Sequence, residues 1–230
     1  PYLRLPFVCG VSMWDLQRIN DARWESQCWW QQPEWIVSCT AIMHRAALTL
    51  AQLHRQGLIL RDFKPAHVYV ATASPAYMAA DAPVYLLDMG NAYVPGQKAS
   101  IAGTPLYMSP EQLWERNDLL SFRSDLYSFG ATFFNLLHHA FAIYRSARDG
   151  FDQMLKLRNA LQSGTRPIVS PQLHREFPKL AEFVLACLQV RPVPDFFTRW
   201  GAGPNHLRSD APWPDAGAMA ADLGQIVVGM

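Results

Sequence analysis

Over residues 124–137 apolar side chains fall on most sides of a predicted helix, at Leu126, Phe129, Phe133, Phe134, Leu136 and Leu137. A helix that is apolar all round has to be the axis on which other elements pack. Residues 38–56 supply a neighbour for it. There Cys39, Ile42, Met43, Ala46, Leu50 and Leu53 repeat at amphipathic helical spacing, and Gly57 ends the pattern. Residues 151–161 and 180–188 read as two more helices, and 201–216, rich in Gly, Pro and Asp, as loop or tail. Two short β-rich runs, 67–70 and 84–87, flank a Ser/Pro/Ala-rich connector over 71–83 and suggest a hairpin. The expected class is therefore α+β and mainly helical, with no internal repeat.

Composition narrows the partners. The 230 residues suit one large domain or two small ones, with enough core to need no disulfides. Twenty basic against nineteen acidic side chains leave a net charge of +1, which is no footprint for nucleic acid or for a polybasic membrane anchor. Half the chain is hydrophobic, eight residues are Trp and 17% are charged, against about 25% charged in ordinary soluble domains. That balance implies a large core or apolar surface turned toward something else. No uninterrupted run reaches the roughly 18 apolar residues that span a bilayer, so a soluble, cytoplasmic chain is expected. Cys9, Cys28, Cys39 and Cys187 are scattered without metal-ligand spacing, which favours reduced thiols over zinc or disulfides. The first residues do not read as a signal peptide, and none is expected.

Three strings, in fixed order, carry the chemistry. Leu60-Arg61-Asp62-Phe63-Lys64-Pro65-Ala66-His67 follows the amphipathic helix, and Asp88-Met89-Gly90 follows the second strand. The third, Gly103-Thr104-Pro105-Leu106-Tyr107-Met108-Ser109-Pro110-Glu111, precedes Ser124-Asp125-Leu126-Tyr127-Ser128-Phe129-Gly130. Phosphoryl transfer asks a protein for a carboxylate near the acceptor hydroxyl, a cation on the moving phosphate and oxygen ligands for Mg²⁺. Asp62, Lys64 and Asp88 supply that set, and a hairpin with Asp62 and Lys64 at one end and Asp88 at the other can bring them together. Taken singly, each is as readily a solvated turn residue.

Together the strings resemble the C-terminal lobe of a eukaryotic-type (Hanks-type) serine/threonine protein kinase of bacterial kind. The resemblance implies a kinase-like C-lobe over 14–200, with hinge and lobe end over 1–13 and a C-terminal helix or tail over 201–230. It implies transfer of the ATP γ-phosphate to a protein hydroxyl with Mg²⁺ or Mn²⁺. Asp62 would orient the acceptor, Lys64 would touch the γ-phosphate, and Thr104 would hydrogen-bond both. Asp88 would hold the metal, Asp125 would brace the catalytic loop, and Phe7, Val8 and Tyr69 would line the adenine site. Ser100 is the better candidate than Thr104 for a regulatory phosphosite, because Thr104 is structurally engaged.

Several residues depart from that pattern. His67 replaces the Asn that serves as second metal ligand, and imidazole suits Zn, Ni or Cu better than Mg²⁺. Leu60 and Met89 replace a His and a Phe but stay apolar, so the packed column they belong to can survive. Tyr69 stands where a smaller aliphatic residue usually lies, and can crowd or stack on a nucleotide. Glu111 needs a buried partner; the matching position is Asp195, which leaves Arg191 or Arg199 as substitutes. Neither a Gly-rich loop nor a strand Lys precedes the hinge-like residues 2–13, so the chain alone is expected to be inactive. These departures favour the alternative of a pseudokinase or kinase-derived interaction module; a non-kinase helical domain would explain the helices but not the ordered strings. Trp24, Trp29, Trp30 and Trp35, within 21–35, read as packing against the lobe's own helices or, second, as a patch for a protein partner.

Overall fold

The computed structural model describes residues 8–23, 29–72, 81–97, 100–143, 150–193 and 206–230. The chain is mainly helical with small antiparallel sheets, as expected. Its central axis is α4 (Phe122–His138), in which every residue from Ser124 to Leu137 is buried. Ser121 caps its start: the Ser121 N–H donates to Ser124 Oγ at 3.1 Å. His139, in the left-handed region at φ 49°, ends it.

Helix α2 (Pro33–Arg55) begins five residues earlier than its apolar stripe predicts. Pro33 at the first turn already has the φ a helix needs, and Glu34 lies where the helix dipole favours an anion. By length and composition alone α2 could cross a bilayer. In this fold its buried face, including Ile42, Met43, Ala46 and Leu50, packs instead on α4 and on α8 (Ala216–Val228).

Strands β2 (Val68–Val70) and β3 (Val84–Leu86) form the expected antiparallel pair, with Val68 opposite Leu86 and Val70 opposite Val84. A third strand extends it: β1 (Val11–Ser12), within the hinge-like stretch, pairs Val11 with Val70. Helix α1 (Met13–Arg23) follows directly. The remaining elements are α3 (Pro110–Leu113), α5 (Gly150–Gln162), α6 (Pro171–Glu176), α7 (Pro178–Cys187), β4 (Val190–Val193) and β5 (His206–Ser209). The β4 and β5 strands pair antiparallel, Val190 opposite Ser209, so the loop expected over 201–216 contains a strand. Pro192 hid this hairpin, because proline argues against a strand except at a sheet edge, and both strands of this two-stranded sheet are edges.

Gly130 sets how closely α4 and α7 approach. A Cβ there would stand 2.4 Å from Cys187 Cβ, so Gly130→Val overpacks this contact and should lower stability by about 1–3 kcal/mol, read as a fall in the urea midpoint. Cys187 and Cys39 are buried free thiols, pushed up from their ordinary pKa by burial; Cys9 is free and exposed, and Cys28 lies outside the described residues. The tryptophans divide similarly. Trp35 is buried and its ring N–H donates to the Leu136 carbonyl at 2.9 Å, while Trp30 stacks on His139 with centroids 4.9 Å apart. These two follow the packing reading. Trp24 lies outside the described residues, as does the Trp29 side chain.

Candidate active site

Gly57 and Gln56 end α2, and the chain turns back through a loop that a single carboxylate holds. Asp125, in the first turn of α4 and fully buried, accepts from the Leu60 N–H at 2.7 Å and the Arg61 N–H at 2.8 Å. His54 adds a third bond to the same carboxylate, Nε2 to Oδ2 at 3.0 Å. Its other ring nitrogen accepts from the Ala216 N–H at 3.1 Å, so the proton sits on Nε2 and the ring donates to Asp125. A chain of hydrogen bonds therefore runs from the start of α8 to the loop backbone. Arg61 is held at φ 67°, a conformation disfavoured for residues with a Cβ, and Thr132 ties down the next stretch by donating to the Phe63 carbonyl at 3.2 Å.

This clamped loop presents Asp62 and Lys64 to the segment carrying Thr104. Lys64 Nζ lies 2.9 Å from Asp62 Oδ2 and 2.8 Å from Thr104 Oγ1, and Thr104 donates to Asp62 Oδ1 at 2.8 Å. The three side chains close a triangle. Asp62 is 5% exposed, so its charge sits where hydrogen bonds to it are strong. Gly103, at φ +120°, allows this approach: a Cβ there would lie 2.8 Å from the Arg61 carbonyl oxygen.

At the far end of the hairpin Asp88 adopts φ 60°, ψ 81°, and its Oδ1 accepts from the Gly90 N–H at 3.0 Å. Its side chain is 57% exposed. His67 bridges the two ends, with Nδ1 3.0 Å from the Asp62 carbonyl oxygen and Nε2 3.8 Å from Asp88 Oδ2. The sequence-derived residues Asp62, Lys64, Thr104, His67 and Asp88 thus converge. Tyr69 and Val8 meet each other: the Tyr69 hydroxyl donates to the Val8 carbonyl at 3.0 Å. Phe7 lies outside the described residues.

Two expectations need correction. Glu111 has no arginine partner among the described residues; Ser124 Oγ and Ser209 Oγ donate to its Oε1 at 2.5 and 2.6 Å, and the Ser209 N–H to its Oε2 at 2.8 Å. Arg191 pairs with Asp210 at 3.1 Å instead, while Asp195 and Arg199 lie outside the described residues. Strand β5 brings Ser209 to the spot, and long-range pairing of that kind leaves no local sequence signal. The apolar column is also only half kept: Leu60 is fully buried, but Met89 is 40% exposed, as is Leu87, with Tyr85 at 43%.

Sequence reasoning missed Asn91 and Gln112. Asn91 Nδ2 donates to Asp62 Oδ2 at 3.3 Å, and Gln112 Nε2 donates to the Arg61 and Ala102 carbonyls at 2.7 and 3.0 Å. Asn91 directly follows Asp88-Met89-Gly90, and that position was the available signal. Ser100 is exposed, and its carbonyl accepts from Arg61 Nη1 at 2.9 Å.

Comparison with known proteins agrees with this geometry. The protein kinase domain family matches residues 21–194. The chain is 28% identical over 137 residues to a probable serine/threonine-protein kinase PknB of Bifidobacterium longum, and 30% identical over 138 residues to PknB of Mycobacterium tuberculosis. It is 33% identical over 151 residues to the serine/threonine-protein kinase pkn2 of Myxococcus xanthus. These matches cover 60%, 60% and 62% of the chain but only 18%, 20% and 16% of the relatives' own lengths. With the family matched over most of its length, and with an ordered loop, hairpin and buried central helix around Asp62, this chain belongs to the protein kinase domain family.

Proposed function

We propose that this domain catalyses the acceptor side of phosphoryl transfer from ATP to a serine or threonine hydroxyl of a protein. The observation that carries the reading is the closed Asp62, Lys64 and Thr104 triangle, with sides of 2.8 to 2.9 Å. Metal-bound ATP supplies the γ-phosphate and part of the charge neutralisation. A carboxylate has about four lone-pair sites. Lys64 and Asn91 occupy Oδ2 of Asp62, whereas among the described residues Oδ1 receives only Thr104. The remaining lone pair on Oδ1 accepts the acceptor hydroxyl, orients it and receives its proton as the bond to the γ-phosphorus forms and the bond from that phosphorus to the bridging oxygen breaks, with ADP leaving. Lys64 Nζ, fixed by Asp62 and Thr104, meets the charge on the transferring phosphoryl oxygens. Asp88 and His67 are the residues that would hold the metal. As carboxylate and imidazole they fit a divalent ion, although the imidazole is unlike the oxygen ligands Mg²⁺ favours.

A second reading, an interaction module that transfers no phosphate, is favoured by Tyr69. Its hydroxyl is bonded to the Val8 carbonyl in the hinge-like stretch, where the resemblance puts the adenine. The two readings separate in one assay on the protein expressed from its natural gene, with radiolabelled ATP and a generic basic acceptor protein. Labelled phosphoserine or phosphothreonine is expected, reduced about 10²- to 10⁴-fold by Asp62→Ala and abolished by Asp88→Ala. Undiminished labelling in both variants overturns the assignment, and nucleotide binding without transfer supports the second reading.

A further inference from the structure

His67 is not simply a substituted ligand, because its surroundings set which nitrogen is available. A carbonyl oxygen can only accept, so the 3.0 Å contact between Nδ1 and the Asp62 carbonyl puts the ring proton on Nδ1. With Nδ1 engaged, Nε2, 3.8 Å from Asp88 Oδ2, is the nitrogen left for a metal. A backbone carbonyl that fixes the tautomer of a neighbouring imidazole is the usual outer support of a metal-binding histidine. The ring is 12% exposed, so its orientation is held by packing as well.

The spacing agrees. Nε2 stands 3.8 Å from Asp88 Oδ2, beyond the roughly 3.2 Å limit of a direct N–H···O bond. Two ligands each about 2.1 Å from a shared ion stand about 3 to 4 Å apart for angles between ligands from a right angle upward. The Gly90 N–H uses Oδ1 of Asp88, and among the described residues no hydrogen bond occupies its Oδ2. Among the described residues no group of three or more His, Cys, Asp or Glu could hold a metal ion, so phosphate oxygens and water must complete the shell.

We propose that His67 Nε2 and Asp88 Oδ2 form a mixed imidazole and carboxylate site that selects Mn²⁺ and other divalent transition ions over Mg²⁺. A neutral nitrogen ligand raises affinity along the transition series, while Mg²⁺ gains little from it and loses an oxygen. The proposal deepens the kinase reading, resting on its placement of Asp88 against metal-bound phosphates, but its test reads binding rather than transfer.

The test measures Mn²⁺ and Mg²⁺ binding to the whole chain with a non-hydrolysable ATP analogue, together with pulsed electron paramagnetic resonance of the bound Mn²⁺. Mn²⁺ is expected to bind at least about ten-fold more tightly than Mg²⁺, with nitrogen coupling from a directly bound imidazole. Labelling the histidines with ¹⁵N must shift that coupling in the unmodified chain, which identifies the ligand class even if a variant fails to fold. His67→Asn should erase the coupling and bring the two metals within about three-fold of each other. Bound Mn²⁺ without nitrogen coupling, coupling unchanged in His67→Asn, or no measurable Mn²⁺ binding would each overturn the site. Mn²⁺ bound through His67 in a protein that transfers no phosphate would keep this site and remove the kinase reading, and transfer without nitrogen coupling would do the reverse.

Discussion

Asp125→Ala should unfold the loop that carries Asp62, lowering the stability of the whole chain by about 3–5 kcal/mol. Asp125 is fully buried and accepts from the Leu60 and Arg61 N–H groups and from His54 Nε2. Removing it leaves three buried donors without their acceptor. Out of a typical total of roughly 5–15 kcal/mol, such a loss is large enough to populate the unfolded state. Urea unfolding followed by circular dichroism measures it. Asp125→Asn should lie between, because an amide oxygen can still serve Leu60 and His54 while its NH₂ faces the Arg61 N–H. Native-state hydrogen exchange gives the local check: the Leu60 and Arg61 amides should lose protection first. An Asp125→Ala protein with an unchanged urea midpoint would show that α4 does not hold this loop.

The second large effect is at Glu111, where the structure departs from what the resemblance implied. Its carboxylate gathers α3, α4 and β5 through Ser124 and Ser209, and burial together with this carboxylate pushes the Tyr127 hydroxyl above its ordinary pKa. Glu111→Leu leaves the Ser209 N–H and the hydroxyl protons of Ser124 and Ser209 buried without acceptors, a loss of about 3–5 kcal/mol. Glu111→Gln should be much milder. Its amide oxygen can take the Ser209 N–H, and both serine hydroxyls can turn their lone pairs toward its NH₂. Arg191→Ala, by contrast, removes an exposed pair with Asp210 and should change stability by no more than about 0.5 kcal/mol. If Arg191→Ala proved the costlier of the two, the serine network would not be what holds Glu111.

How far the site was legible follows from where its information lies. Asp62, Lys64, Asp88 and Thr104 were readable because each sits in a short string beside residues that fix local backbone, such as Pro65, Gly90 and Gly103. Gly103 in particular signals a φ that other residues avoid and an approach that a Cβ would block. Asn91 and Gln112 were harder. Each is one position beyond a recognised string, and its value depends on a partner 29 or 51 positions away. Met89 shows the opposite error: an apolar residue in a column position was expected to pack, but whether it does depends on what faces it.

The two main helices were likewise legible from periodicity, since a stripe or an all-apolar run states its own burial, whereas the β4 and β5 pair was not. The apolar run over 124–137 therefore determined by itself that this chain would fold around a buried axis. What it could not determine was which polar groups that axis would carry into the interior and to whom they would bond. Tertiary structure decided that Asp125, at the start of the axis, clamps the loop carrying Asp62, and that β5 rather than an arginine satisfies Glu111. It also brought His67 Nε2 to 3.8 Å from Asp88 Oδ2. The reason is physical: apolar burial needs only a pattern, but a buried charge needs specific donors at hydrogen-bond distance, and only the folded chain brings those together.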